Sequence, residues 1–191
     1  VNLQNEQNRL KRSDVNEEMV NTFLNEVKIG YLGLVDDNHP YVVPLNFVWH
    51  KECIYIHGAT KGRKANLMKN KANATFTASQ AFGTLTNVVP AHTDTAYLSV
   101  MIFGEIEPVQ DLLEATEVLD KMLNKYVPGY YQNPLSKQHV STYVSSAGSH
   151  TKVYKLTPDV VTAKFNEVIE ERLFFKGRTQ LQDMKENNSK N

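Results

Sequence analysis

The residues best placed to do chemistry fall in one run, His57-Gly58-Ala59-Thr60-Lys61-Gly62-Arg63-Lys64. A strand-like segment, Cys53-Ile54-Tyr55-Ile56-His57, ends at Gly58. A turn follows, and Arg63-Lys64-Ala65-Asn66-Leu67-Met68 then reads as the start of a helix. Backbone N–H groups at a helix N-terminus favour an anion such as phosphate. Cations in a first turn oppose the helix dipole. Lys61, Arg63 and Lys64 with no acidic residue among them therefore suit an anion site. A solvated basic turn has the same composition, and the residues alone leave both readings open. The run is not a Walker A loop, because three residues separate Gly58 from Gly62 and Ala65 follows Lys64. No G-x-G-x-x-G is present. His57 stands at the strand end beside the cations, either as a structural histidine or as a proton donor to a substrate. Lys61 and Arg63 would disfavour its protonated form.

The elements that must position this run follow from periodicity. Asp14 with Glu17 reads as a capping box, opening a helix with Val15, Met19, Val20, Phe23, Leu24 and Val27 on one stripe through Lys28. Residues 29–35 read as a strand, and Asp36-Asp37-Asn38-His39-Pro40 as a turn. Strands at about 41–49 and 53–58 form a hairpin through His50-Lys51-Glu52. A helix covers 63 to about 70, and a strand 73–79. Residues 80–95 show no period and read as a long connection. A strand spans 97–109, and Asp111 caps a helix to about Tyr126 that ends at Pro128-Gly129. Residues 129–150 read as loop, 152–156 and 160–165 as short strands, and 166–175 as an amphipathic segment. The expected organisation is a flexible N-terminus over 1–12, one domain over 13–176, and a flexible polar tail over 177–191. Many short strands at hairpin spacing, with few helices between them, predict a mostly β, α+β fold: an antiparallel barrel that closes or nearly closes, with helices outside.

Composition excludes several classes. Lys and Arg total 21 and Asp and Glu total 21, so no net field draws the chain to nucleic acid or an acidic membrane. The single cysteine, Cys53, permits no internal disulfide and fits a reducing, cytoplasmic setting. No apolar run approaches membrane-spanning length. His39, His50, His139 and His150 lack metal-ligand spacing, so no metal is expected. Apolar strand faces such as Val42–Val48 and Val100–Phe103 exceed what the few helices cover, which predicts a homodimer.

Taken in order, Gly30-Tyr31-Leu32-Gly33-Leu34-Val35, Pro40-Tyr41-Val42-Val43-Pro44-Leu45-Asn46-Phe47-Val48, Ile54-Tyr55-Ile56-His57-Gly58-Ala59-Thr60-Lys61-Gly62-Arg63-Lys64 and Tyr97-Leu98-Ser99-Val100-Met101-Ile102-Phe103-Gly104 form a recognisable series. Across roughly residues 14–166 the chain resembles the pyridoxamine-5′-phosphate-oxidase-like flavoproteins of the FMN-binding split β-barrel fold, and among them the nitroimidazole-resistance branch. The resemblance implies FMN at a homodimer interface. It implies that Thr60, Lys61, Arg63 and Lys64 hold the phosphate, and that Pro44, Leu45 and Asn46 line the flavin ring. It aligns His57 with a histidine near the flavin and substrate pocket, and gives Ser99 and Met101 to a strand that completes the pocket, from the other subunit in some members. The chain departs from the family at Leu98, where an arginine is common, and at Ala91-His92, where many relatives carry a cysteine. The implied activity is FMN-dependent reduction of small electron-poor compounds, nitroaromatics among them. A flavin-binding or flavin-sensing protein without a dedicated substrate, and a haem-binding split barrel, are the alternatives.

Overall fold

A computed structural model describes residues 2–3, 15–37, 39–146 and 148–189. Beyond β1 (Asn2–Leu3), the first element is α1 (Glu17–Glu26), whose N-cap is Asn16, accepting from the Met19 N–H at 2.8 Å. The expected cap Asp14 lies outside the described residues. Val20, Phe23 and Leu24 recur at helical spacing and are buried, so α1 lays one stripe on the sheet.

The strands are β2 (Gly30–Asp36), β3 (His39–Leu45), β4 (Val48–His50), β5 (Cys53–Ala59), β6 (Ala72–Leu85), β7 (Asp94–Pro108) and β8 (Thr151–Asn166). They join in the order β3-β2-β6-β7-β8-β5-β4, antiparallel throughout, while β1 adds to β8 in parallel. Alternate residues such as Leu32, Leu34, Phe76, Val100, Ile102, Ile54, Ile56 and Leu156 turn to one core. The sheet curls without closing, because its edges β3 and β4 do not pair with each other. This is the split barrel expected from the sequence. Among the described residues no helix is long and apolar enough to cross a membrane.

The strand expected over 41–49 is in fact two strands with a crossing between them. Asn46-Phe47 carries the chain from one free sheet edge to the other. No ladder strand serves the backbone there, so the Tyr126 hydroxyl does. It accepts from the Phe47 N–H at 2.9 Å and lies 2.6 Å from the Lys28 carbonyl, to which it donates. The Phe47 ring is fully buried, edge-on to Phe76 at 4.7 Å. Tyr126 ends α3 (Leu112–Tyr126), capped as expected by Asp111, which accepts from the Leu113 N–H. Its Val118, Leu119 and Met122 form a second core with Val48, Tyr55 and Val153.

Other expectations need correction. The 80–95 connection is a hairpin arm: β6 runs on to Leu85 and β7 begins at Asp94. A bulge between Ala81 and Gly83 shifts the register, and residues 80–82 are exposed, so no period survives in the sequence. The two short strands near 152–156 and 160–165 are one strand, β8, whose bulge opposite Gly104 accommodates Pro158. The helix expected over 63–70 is only α2 (Arg63–Leu67), because Ala72 must already enter β6. A short helix, α4 (Lys137–Ser141), interrupts the 129–150 loop. The tail expected to be flexible after Gly177 is helical in α5 (Gln180–Ser189). Arg178 ties it down, donating to Asp183, to the Leu173 carbonyl at 2.8 Å and to the Glu171 carbonyl at 2.7 Å.

Two results are expected. A Cβ on Gly104 would meet the Thr157 carbonyl oxygen at 2.0 Å, a backbone atom that cannot step aside. Gly104→Ala should therefore cost about 2–3 kcal/mol and lower Tm by roughly 5–10 °C in a thermal melt. The second concerns Lys125, whose ammonium lies 3.8 Å from the Phe47 ring centroid and donates to the Leu24 carbonyl at 2.9 Å. Burial first, then Lys28, lowers its pKa from 10.5 to about 8. Folding thus disfavours its charged form, and the unfolded chain binds the extra proton between those two values. Stability of the unmutated protein relative to Lys125→Met should rise as pH goes from about 8 to about 10; paired denaturant titrations read this difference.

Candidate functional site at the end of β5

His57 and Gly58 are successive residues of β5, so their side-chain directions face opposite sides of the strand. On the His57 side stands α3, and the imidazole Nδ1 lies 2.8 Å from the Met122 sulfur. At Gly58 the missing side chain makes room for Lys64 of α2. A Cβ there would stand 3.0 Å from the Lys64 Nζ and 3.2 Å from its Cε. Among the described residues no carboxylate pairs with this ammonium. Burial pushes its pKa down. A half-buried cation without a counter-charge is an unfavourable arrangement that an incoming anion relieves.

The neighbouring cations are arranged differently. Arg63 bonds Asp36 at the end of β2 and lies over the Tyr41 ring, 4.9 Å from its centroid. Its guanidinium is therefore occupied by the protein itself. Lys61 and Thr60 are exposed, and the Thr60 N–H donates to the His150 carbonyl at 3.2 Å. α2 is five residues long and its N-cap, Gly62, makes no side-chain cap bond. The anion case thus rests on Lys64 more than on a helix dipole. His57 is exposed at the strand end, and partial desolvation by its surroundings is the first cause holding the ring below its usual pKa, with Lys64 the second. The sequence argument had assigned that effect to Lys61 and Arg63.

The remaining expected residues lie elsewhere. Pro44 and Met101 share one row of the outer sheet face through Tyr31 and Thr77, three strand spacings or about 14 Å apart. Ser99 is the next outward residue of β7. Leu45 packs against the main core, and Asn46 is exposed in the crossing. Within one chain these do not reach His57. His57 pairs with Val153 and Ser99 with Lys164, eleven residues apart on β8, roughly 36 Å of strand at about 3.3 Å per residue. On the other side of β7, the outer face of β2 and β3 is open, with Val35 68% and Val42 60% exposed. A trough of about 510 Å³ runs along it, floored by Gly33 and Gly104 and walled by Val42 and Phe103.

Sequence reasoning missed Asp36 and Tyr41, which occupy Arg63, and Met122, which contacts His57. No local signal reports any of the three, since each contact spans more than twenty residues of chain.

With this geometry in view, comparison with known proteins is informative. The sequence matches the pyridoxamine 5′-phosphate oxidase family over residues 16–165. The chain belongs to this family. Its matched span runs from the N-cap of α1 to the penultimate residue of β8. Comparison with curated proteins gives no significant match. Among solved structures, the FAD and heme binding protein from Mycobacterium smegmatis aligns with TM-score 0.70 at 18% identity, over 83% of this chain and 75% of that one. The flavocytochrome Anf3 from Azotobacter vinelandii aligns with TM-score 0.66 at 20% identity, over 82% and 72%. A Bacteroides thetaiotaomicron protein named as a candidate 5-nitroimidazole antibiotic resistance protein aligns with TM-score 0.57 at 20% identity, over 85% of this chain and 95% of that one. At these identities the likeness is one of fold.

The Lys64 arrangement yields a test independent of any activity. In Gly58→Ala the new methyl displaces the end of a flexible side chain, so the fold should persist. Affinity for a phosphate-bearing ligand should fall about threefold to tenfold, read by isothermal titration with FMN, while the far-ultraviolet dichroism stays unchanged.

Proposed function

We propose that this member of the pyridoxamine 5′-phosphate oxidase family is an FMN-dependent oxidoreductase that reduces small electron-poor compounds, nitroaromatic and nitroimidazole compounds among them. The observation that carries the reading is the half-buried, acid-free Lys64 ammonium beside His57 at the end of β5. Its chemistry suits a terminal phosphate monoester, which FMN has and FAD lacks. When bound, the flavin supplies two-electron redox chemistry, with a nicotinamide or similar donor as the source. The chain's own part is to anchor the phosphate at Lys64, with Lys61 and Thr60 within the same turn. β3 suits the approach of a planar ring. It is a free sheet edge, and its prolines Pro40 and Pro44 present carbonyls with no N–H.

The proposed working unit is a homodimer of the 13–176 domain, with Ser99 and Met101 of one copy completing the pocket of the other. The roughly 36 Å of β8 strand length between the partners of His57 and Ser99 supports this, as does the open face bearing Tyr31, Val42 and Phe103. Cys53, free and buried, fits a reducing cytoplasmic setting. A second reading, haem binding on the same barrel, is favoured by the names of the two relatives from Mycobacterium smegmatis and Azotobacter vinelandii.

The absorbance spectrum of the purified protein reconstituted with FMN and with haemin separates these readings. Flavin bands that stay with the protein on gel filtration support the first; a Soret band with no retained flavin supports the second. The phosphate assignment makes a sharper forecast. Lys64→Ala should weaken FMN binding about tenfold to a hundredfold, whereas Arg63→Ala, already paired with Asp36, should change it less than about threefold. Riboflavin should bind the unmutated protein as weakly as FMN binds the Lys64 variant. Equal losses for the two variants would remove Lys64 from its assigned place. In light scattering the protein should exceed the 21.7 kDa of one chain.

A further inference from the structure

We propose that the cleft between α1 and the β6–β7 hairpin is a second binding site, and that it takes a small organic cation with a flat apolar body. The site lies apart from the end of β5 and does not rest on the flavin reading. Its volume is about 440 Å³, within the range of roughly 300–1,000 Å³ that small-molecule pockets span. Met19 and Phe23 stand one turn apart on α1, so both side chains lie on one face of the helix. With Leu98 of β7 they form an apolar floor, in which Phe23 and Leu98 are each 5% exposed. The facing wall is Phe82, the extra residue of the β6 bulge, whose ring is left 40% exposed at the cleft. Bulges re-aim side chains in this way beside functional sites. Aromatic rings attract a cation through their faces, and the Met19 thioether is polarizable and adapts to an irregular ligand.

The charge around the cleft has one sign. Glu18 and Glu26 border it. They are eight residues apart on α1, about 12 Å along the axis at 1.5 Å per residue, and share a face with the cleft between them. Among the described residues neither joins an ion pair, and no lysine or arginine lines the cleft. Glu26 is also badly placed within its own helix. It ends the last turn of α1, where the dipole disfavours negative charge, and no basic residue shares that turn. A cation lying in the cleft would offset that arrangement, whereas an anion would add to it. Leu98 faces the inner side of β7 and Ser99 the outer side, so a dimer built on the outer face would leave the cleft open.

Ethidium, a flat permanent cation, is the probe, titrated into the full chain and followed by its fluorescence. The competitor 1-anilinonaphthalene-8-sulfonate has an apolar body and the opposite charge. Ethidium should bind with one-to-one stoichiometry, and the sulfonate should not displace it. Glu18→Gln combined with Glu26→Gln should weaken ethidium about threefold to tenfold, and Phe82→Ala about threefold to thirtyfold. Glu167→Gln, an exposed acid outside the cleft, should change nothing. Glu18→Lys combined with Glu26→Lys should exchange the preference, so that the sulfonate binds and ethidium does not. Amide shifts of the ¹⁵N-labelled unmutated protein locate the site without any variant, and the expected changes centre on Thr22 and Leu98. Failure of ethidium to bind the unmutated protein would overturn the proposal. So would shifts confined to other elements, displacement by the sulfonate at equal concentration, or an affinity that the paired glutamine substitutions leave unchanged.

Discussion

A sheet that curls into a barrel but stops short of closing leaves two free edges, and the chain must cross between them. Everything else in this molecule depends on how Asn46-Phe47 makes that crossing. The backbone there has lost its ladder partners, and an unpaired polar group beside a buried ring is costly. Tyr126 supplies the missing partner to the Phe47 N–H, and the Lys28 carbonyl takes the hydroxyl proton. Two lysines complete the knot by exchanging caps. Lys125 at the end of α3 donates to the Leu24 carbonyl of α1, and Lys28 beyond α1 donates to the Lys125 carbonyl of α3. Each sits at a helix C-terminus, which favours positive charge, although at Lys125 burial and the nearby Lys28 outweigh that preference. The opening of the barrel is thus held by three side chains around one phenylalanine.

That knot also positions the candidate site. Because Tyr126 fixes α3 against the crossing, Met122, one turn earlier, is fixed over β5. Met122 meets His57 there, and the glycine that follows His57 admits Lys64 from the other side. The strand end therefore carries two groups with opposite preferences. Among the described residues the amine has no paired carboxylate, and the exposed imidazole is shifted towards its neutral form by partial desolvation and by that amine.

Long stretches of the fold were legible in the sequence because their cause is local. The stripe of α1, the Asp111 cap of α3 and the alternation of β2 and β5 follow from residues a few positions apart. The split-barrel family was likewise carried by short motifs in order. Where a long-range contact took over, legibility ended. Residues 80–95 have no period because a bulge and two solvent-facing surfaces remove it. The register of β8 against Gly104 joins two segments that Pro158 divides in the sequence. α5 has a weakly patterned, polar sequence and is placed by Arg178 and by Gln180 reaching the Val88 carbonyl at 2.6 Å.

The site divides in the same way. The sequence by itself determined which residues carry charge near His57, that a glycine follows it, and which family the ordered motifs belong to, since each is a property of composition and spacing. Only the tertiary structure decided which of the cations is already paired. Lys61, Arg63 and Lys64 are equivalent as letters, but Arg63 is claimed by Asp36 and Tyr41, twenty-odd residues away, while Lys64 folds over Gly58 and pairs with no carboxylate among the described residues. It also decided that His57 meets a sulfur on α3, sixty-five residues along the chain. Partner choice of this kind depends on which atoms the packed core brings within hydrogen-bond reach, roughly 2.7–3.2 Å for an N–H and an oxygen.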